Sequence, residues 1–428
     1  MNKSKETLIT GFALFSLFFG AGNLILPPFL GFNAGEDWII VALGFLISGV
    51  LLPIMAIFAH ARLQGTMFDF AKKVSPVFSV IYCLCVYIIS ITLPSPRTAS
   101  VTHEIAIAPF FGTTSWLTST IYFILVLLFV LNRSKILDIL GRILTPLIIG
   151  ILLLIIGMAV FAPYDSMTGG NYKLPLVSGL IEGYQTFDAI GGVVVGGVLI
   201  ISLNLKGFGS FKEKKSLITK AGLLAGTGLF LIYTGLILTG ALFGNEFSPD
   251  ATRIEVLTGI SNKTLGAIGT SLLSVLVSLA CFTTAVGIVT GTADYFKGLF
   301  KGSSKVYTIT AVIASILGVI MGQFDVHYII DIALPALMFI YPVTIILILL
   351  NIIPERFTSV LVFRAVVFTT LIFSIPDFLT SIGFTKEMNS ILELLPLAGY
   401  SLAWLLPASI VFVFVNFWSL YLSKVNSI

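Results

Sequence analysis

The sequence predicts an all-α membrane protein of about twelve transmembrane helices, and three observations carry that prediction. First, 57% of the 428 residues are hydrophobic and only 10% charged, a balance that a water-soluble core and surface cannot absorb without exposing large apolar patches. Second, the apolar runs are about 18 to 27 residues long rather than ten-residue alternating segments. In lipid only helices and closed barrels satisfy every backbone group, so runs of this length are helices. Third, 19 of the 24 Lys and Arg fall in alternate loops and termini on one side. The other side keeps Arg97, Lys173, Arg253, Lys263 and Lys386. The positive-inside rule then predicts an even helix count with both termini in the cytoplasm.

In chain order the spans are expected at about 6 to 31, 37 to 62, 76 to 107, 115 to 132, 136 to 162, 179 to 205, 217 to 243, 264 to 296, 305 to 322, 329 to 353, 358 to 383 and 396 to 422. The first follows Lys3 and Lys5 as a signal peptide would, yet it is too long for one and lacks a small-residue cleavage site, so it is retained. Two glycines and Asn23 interrupt it at mid-span, and Pro27-Pro28 bend it further on. The third and eighth are long enough to tilt. Cys83, Cys85 and Cys281 lie inside spans and predict neither disulfide nor metal site. The lysines at 212, 214 and 215 read as a topology signal or a contact for anionic lipid.

No loop exceeds about twenty residues and no low-complexity tract occurs, which leaves no room for an aqueous catalytic domain. The chain reads as one transmembrane domain, not an enzyme, with the lipid bilayer as its surroundings and neither a cofactor nor a nucleic-acid partner. Its chemistry must lie within the helices.

Two glycine-interrupted spans stand at matching places. Phe18-Phe19-Gly20-Ala21-Gly22-Asn23 falls in the first and Phe187-Asp188-Ala189-Ile190-Gly191-Gly192 in the sixth, five helices later. That fits two five-helix repeats, about 1–162 and 179–353, followed by two extra helices at 358–422. Unwinding at such points frees amides that suit a carboxylate and carbonyls that suit a cation. Close packing through small residues is the competing account of the same glycines.

In the eighth span, Ala280-Cys281-Phe282-Thr283-Thr284 sets two hydroxyls side by side. Each threonine alone would bond back to its preceding turn, but two hydroxyls facing a broken helix also suit a small hard cation, which takes about five or six oxygens. Three roles fit Asp188 in the sixth span: receiving an ammonium, pairing with Arg97, or carrying a proton. Arg97 and Glu104 are seven residues apart on one helix face, and an ion pair between them, structural or gating, is expected. His60, His103 and His327, with Asp331 and Asp377, read as residues of the membrane rim.

At this point a resemblance becomes specific. LFFGAGNLILPP in the first span, PSPRTASVTHE in the third, GYQTFD in the sixth, ACFTTAVG in the eighth, LPALMFIYP in the tenth and LPLAGYSLAWLLP in the last span nearly the whole chain. In that order they resemble the branched-chain amino acid:cation symporters, the BrnQ-type carriers, and more distantly the amino acid transporters of the LeuT fold in the APC superfamily. The resemblance implies a LeuT-type five-plus-five inverted repeat with broken helices 1 and 6 and two extra C-terminal helices. It implies sodium-coupled import of leucine, isoleucine and valine across the bacterial inner membrane, with a proton-coupled carrier or a non-transporting sensor as alternatives. Carried over position by position, it places sodium among Ser16, Phe19, Ala280, Thr283 and Thr284. It places substrate near Phe18, Gly20, Ala21, Gly22, Asn23, Phe187, Asp188, Ala189 and Gly191.

Overall fold

The computed structural model describes residues 3–163, 167 and 169–425, and among these there is no β-strand. Nine helical stretches are long and apolar enough to cross a membrane, and Ser115–Leu131 and Leu405–Trp418 add two shorter apolar helices among the described residues.

The first span is two helices, α1 (Lys3–Phe18) and α2 (Ala21–Ala34), separated by Phe19 and Gly20. The second runs from α3 (Trp38–Leu46) through a π-helical turn into α4 (Leu52–Leu63), and the short α5 (Met67–Ala71) follows. Ser75 caps α6 (Pro76–Thr92) by accepting from the Phe78 amide. Pro94 then starts α7 (Pro94–Val101), which ends in a π-helical turn at Thr102–Ile107. The fourth and fifth spans are α8 (Ser115–Leu131) and α9 (Ile136–Ile139) leading into α10 (Thr145–Phe161). The sixth is again two helices, α11 (Pro175–Tyr184) and α12 (Asp188–Leu205).

Beyond these come α13 (Phe211–Leu242), α14 (Arg253–Leu299), α15 (Ser304–Met321), α16 (Val326–Ile352), α17 (Val360–Ser381), the short α18 (Thr385–Leu392) and α19 (Leu405–Val425). Two stretches expected as loops are helical. α13 begins at Phe211 and so includes the three clustered lysines. α14 begins at Arg253 under a Thr252 cap and bends at Gly266 (φ 59°, ψ −146°), so its first part is a separate segment ahead of the eighth span.

The repeat is visible in the packing. Both halves of the first span, α1 and α2, lie along α13, the seventh span, while both halves of the sixth lie along the second, α11 on α3 and α12 on α4. Glycines make both contacts close. A Cβ on Gly31 would overlap the Ile237 carbonyl and one on Gly240 the Pro28 carbonyl; Gly44 and Gly179 stand in the same relation to Leu176 and Val41. Large apolar side chains such as Leu43, Ile88, Leu128 and Phe368 point outward and are exposed, where acyl chains would meet them.

Candidate functional site

The two breaks meet at the middle of the bundle. In the first, α1 stops because Gly20 turns extended (φ −120°, ψ −160°), and Asn23 reaches back so that its Oδ1 accepts from the Gly20 amide at 3.2 Å. That is a local cap made inside the membrane. In the second, Phe187 takes a left-handed backbone (φ 63°, ψ 13°), and α12 opens at Asp188. Asp188 is 3% exposed, and at the first turn of α12 its carboxylate sits at the positive end of the helix dipole. Its Oδ2 accepts from Asn23 Nδ2 at 2.6 Å and from the Tyr233 hydroxyl at 3.2 Å, while Asn23 Nδ2 also donates to Tyr233. Asn23 therefore ties the first break to the second. Tyr341 adds a hydroxyl that accepts from the Ala189 amide at 3.1 Å.

A cavity of about 40 Å³ lies between the breaks, walled by Phe18, Phe187, Asp188, Gly191, Pro94 and Thr284 among others. Binding pockets run to about 300 Å³ and more, so this site is contracted to the scale of a few waters. A second cavity of about 430 Å³ opens nearer the termini between α5, α6, α12 and α14. Val194, packed against Gly291, separates the two. Ion pairs brace both flanks. On one, Arg253 Nη2 meets Glu182 Oε1 at 2.8 Å with its Cζ 4.8 Å over the Phe29 ring. On the flank carrying the N-terminus, Arg133 meets Asp294 at 2.7 Å, and Lys206 meets Glu6 at 3.0 Å and Asp138 at 2.6 Å.

Oxygens gather where α1 ends against α14. Thr283 Oγ1 lies 2.8 Å from the Ser16 carbonyl and 2.9 Å from the Ala280 carbonyl. The Thr283 hydroxyl and the Ser16 and Ala280 carbonyls thus form a close set of neutral oxygens of the kind that could hold a hard cation. Thr284 Oγ1 is 3.5 Å from the Leu17 carbonyl, and a Cβ on Gly20 would come within 2.6 Å of it.

A family model described as branched-chain amino acid transport protein matches residues 3–421. The chain belongs to that family. Among its relatives, the branched-chain amino acid transport system 2 carrier protein of Pseudomonas aeruginosa is 34% identical over 419 residues, covering 96% of this chain and 95% of the relative. The branched-chain amino acid permease BraB of Bacillus subtilis is 35% identical over 416 residues, covering 94% and 93%. Solved structures share the fold. MhsT in complex with L-phenylalanine has a TM-score of 0.54 at 16% identity, covering 96% of this chain and 98% of that one. Mhp1 in its inward facing conformation has a TM-score of 0.59 at 12% identity, covering 96% and 91%. The fold is LeuT-type, and the family consists of transport carriers rather than enzymes.

In this carrier the residues singled out from sequence separate into groups. Phe18, Phe187, Asp188, Gly191 and Thr284 wall the central cavity. Asn23 and Ala189 brace the breaks behind it, Gly20 forms the turn itself, and Ala21 and Gly22 open α2. Ser16, Ala280 and Thr283 are brought together; Thr284 faces the Leu17 carbonyl. The Phe19 amide closes the last turn of α1 on the Phe15 carbonyl at 2.8 Å. Pro27 and Pro28 sit inside a continuous α2, so the bend expected there is not a break. Gly191-Gly192 likewise lie within α12, because Gly192 is needed to pack on Pro53 and Ala56 of α4.

The expected ion pair between Arg97 and Glu104 does not form. The π-helical turn at Thr102–Ile107 changes the helical phase, and Glu104 accepts from the Val326 amide at 3.2 Å while Arg97 turns to the sixth span. His60 is not at a rim: it is 0% exposed, its ring nitrogens 3.0 Å from the Gly65 carbonyl and 2.8 Å from the Val193 carbonyl, because Phe70 of α5 and the α12 backbone cover the end of α4. Asp377 is buried too, within α17 against the Ala403 amide. Sequence reasoning passed over Tyr233 and Tyr341, since nothing local distinguishes a tyrosine in an apolar span that faces a carboxylate from one that faces lipid.

Proposed function

We propose that this carrier imports leucine, isoleucine and valine together with sodium by alternating access, in a bacterial inner membrane with both termini in the cytoplasm. The substrate class rests on the relatives, which are named as branched-chain amino acid carriers and permeases across nearly their full length. The single observation that carries the coupling is the Thr283 hydroxyl held between the Ser16 and Ala280 carbonyls, with Thr284 beside it. Neutral oxygens at the end of a broken helix can bind a hard cation and still release it. The zwitterion's ammonium goes to Asp188, its apolar tail among Phe18, Ile190, Val194 and Ile288. A pocket of this kind separates side chains differing by one methylene by only about 1 to 3 kcal/mol, so the three substrates share it. The contracted cavity must widen before it can admit any of them. The ion pairs on the two flanks are the contacts that alternating access would break in turn, Arg253 with Glu182 on one and Arg133 with Asp294 on the other.

Proton coupling is a second reading, favoured by one observation: the Asp188 carboxylate is held by Asn23 and Tyr233 with no cationic side chain paired to it among the described residues. Leucine uptake into proteoliposomes separates the two readings. Under sodium coupling an inward sodium gradient drives accumulation, and Thr283→Ala raises the sodium concentration for half-maximal uptake by at least about tenfold, on the order of 1.4 kcal/mol. Accumulation driven by a proton gradient alone, abolished in Asp188→Asn with exchange intact, would transfer the coupling to Asp188.

A further inference from the structure

Arg97 is left over from everything described so far. It lies on α7 three residues after Pro94, hence on the same face, and Pro94 walls the central cavity. Its side chain is 3% exposed. Nη1 donates to the Gln185 carbonyl in the sixth-span break at 3.0 Å, Cζ stands 5.4 Å over the ring of Phe187, and Nε has no hydrogen-bond partner. Among the described residues no carboxylate forms an ion pair with it. A guanidinium carries five N–H donors, and among the described residues one hydrogen bond uses them. A buried cation in that condition is strongly destabilising unless an anion completes it.

The opposite wall supplies what such an anion needs. α2, fourteen residues long, begins at Ala21, and the first amides of a helix have no intrahelical acceptor. The Gly20 amide is already occupied by Asn23, so the amides that follow it face the break at the positive end of the helix dipole. Gly22 is the point of approach: a Cβ there would lie 2.5 Å from Arg97 Nη2, so the guanidinium packs directly against the backbone at the start of α2 and any other residue would push it away.

We infer that Arg97, which stands behind the Pro94 wall of the contracted cavity, is the receptor for the carboxylate of the transported zwitterion once the cavity widens, with the amides at the start of α2 beside it and Asp188 receiving the ammonium. This rests on the amino acid carrier reading above. It makes Arg97 a specificity residue: the guanidinium selects substrates that carry a carboxylate, and the apolar wall then selects their tails. Both broken helices are engaged at once, since Arg97 contacts Gln185 and Phe187 of the sixth span and Gly22 of the first. Loading the carboxylate would thereby pull on both.

The experiment measures binding of radiolabelled leucine to the purified full-length carrier, with competition by unlabelled leucine and by 3-methylbutan-1-amine, the same molecule without its carboxylate. In the native protein the amine is expected to compete at least about 100-fold more weakly than leucine. Arg97→Gln should weaken leucine by at least about 100-fold and leave the amine within about threefold, so that the two ligands converge. Arg97→Lys keeps the charge without the fork and should fall between, losing about tenfold for leucine. If Arg97→Gln does not fold, Arg97→Lys carries the test, because a purely structural arginine predicts equal losses for both ligands. Leucine affinity unchanged in Arg97→Gln, or equal losses for leucine and amine in Arg97→Lys, would overturn the assignment. Failure of the native protein to bind leucine at all would instead remove the carrier reading on which it rests.

Discussion

The two helix breaks in this carrier do the same thing by different means. The first is local: Gly20 adopts an extended backbone without penalty, and its cap, Asn23, is three residues away. The second is tertiary: Phe187 occupies a left-handed conformation that costs a non-glycine residue about 1 to 3 kcal/mol, and it is kept there by Arg97 over its ring and by the Thr186 hydroxyl, which accepts from the Asp188 amide at 3.2 Å. The glycines next to it are not what breaks the helix. A break supported by its neighbours can respond to what those neighbours bind, whereas a break written into the local chain stays open whatever happens around it.

The largest effect expected from this difference comes from the paired glycines after the second break. A Cβ on Gly192 would lie 2.9 Å from the Pro53 carbonyl oxygen and 2.9 Å from the Ala56 Cβ, with backbone that cannot yield. Gly192→Val should therefore destabilise the carrier by about 3 kcal/mol, read as the unfolding midpoint in detergent. Gly191 meets only Phe18, at 3.9 Å, and faces the cavity. Gly191→Ala should leave the midpoint within about 0.5 kcal/mol and lower leucine uptake. Equal stability of the two variants would mean that the glycine pair belongs to the break after all.

The same contrast explains what could be read from the sequence. The spans, the first break and the pairing of Thr283 with Thr284 are legible because their causes are contiguous: apolar length, a glycine beside its capping residue, two hydroxyls side by side. Asp188 is legible as a charge in an apolar run, but its partners Asn23 and Tyr233 lie 165 and 45 residues away and leave no local trace. Arg97 and Glu104 mislead for a related reason. Their spacing assumes an uninterrupted α-helix, and the π-helical turn at Thr102–Ile107 removes that assumption without any residue in THEIAI announcing it. His60 reads as a rim residue because α4 does end there; that α5 folds back over it is set by the Thr66 and Asp69 cap, which lies beyond the apolar pattern.

A second way to sharpen the comparison couples the first break to the oxygen cluster. The backbone of Gly20 suits any residue, so Gly20→Ala is opposed chiefly by Thr284, whose Oγ1 and Cβ would lie 2.6 and 3.0 Å from the new methyl. About 2 kcal/mol of destabilisation is expected, together with a higher sodium requirement. Adding Thr284→Ala removes Oγ1 and Cγ2, leaves only the Cβ at 3.0 Å, and should recover about 1 kcal/mol of stability while leaving sodium use impaired. Strict additivity of the two substitutions would show that the break and the threonine do not touch in the working protein.

The smallest effect tests whether the second break stores strain. Phe187→Ala and Phe187→Gly both remove the ring beneath Arg97 and should weaken leucine binding alike. They differ in the backbone alone, since alanine keeps the left-handed penalty that glycine lacks, partly offset by the greater freedom of glycine in the unfolded chain. Phe187→Gly is therefore expected to be the more stable by about 0.5 to 1 kcal/mol in thermal unfolding. If alanine were equal or better, the φ of 63° would carry no strain, and the sixth-span break would be as local as the first.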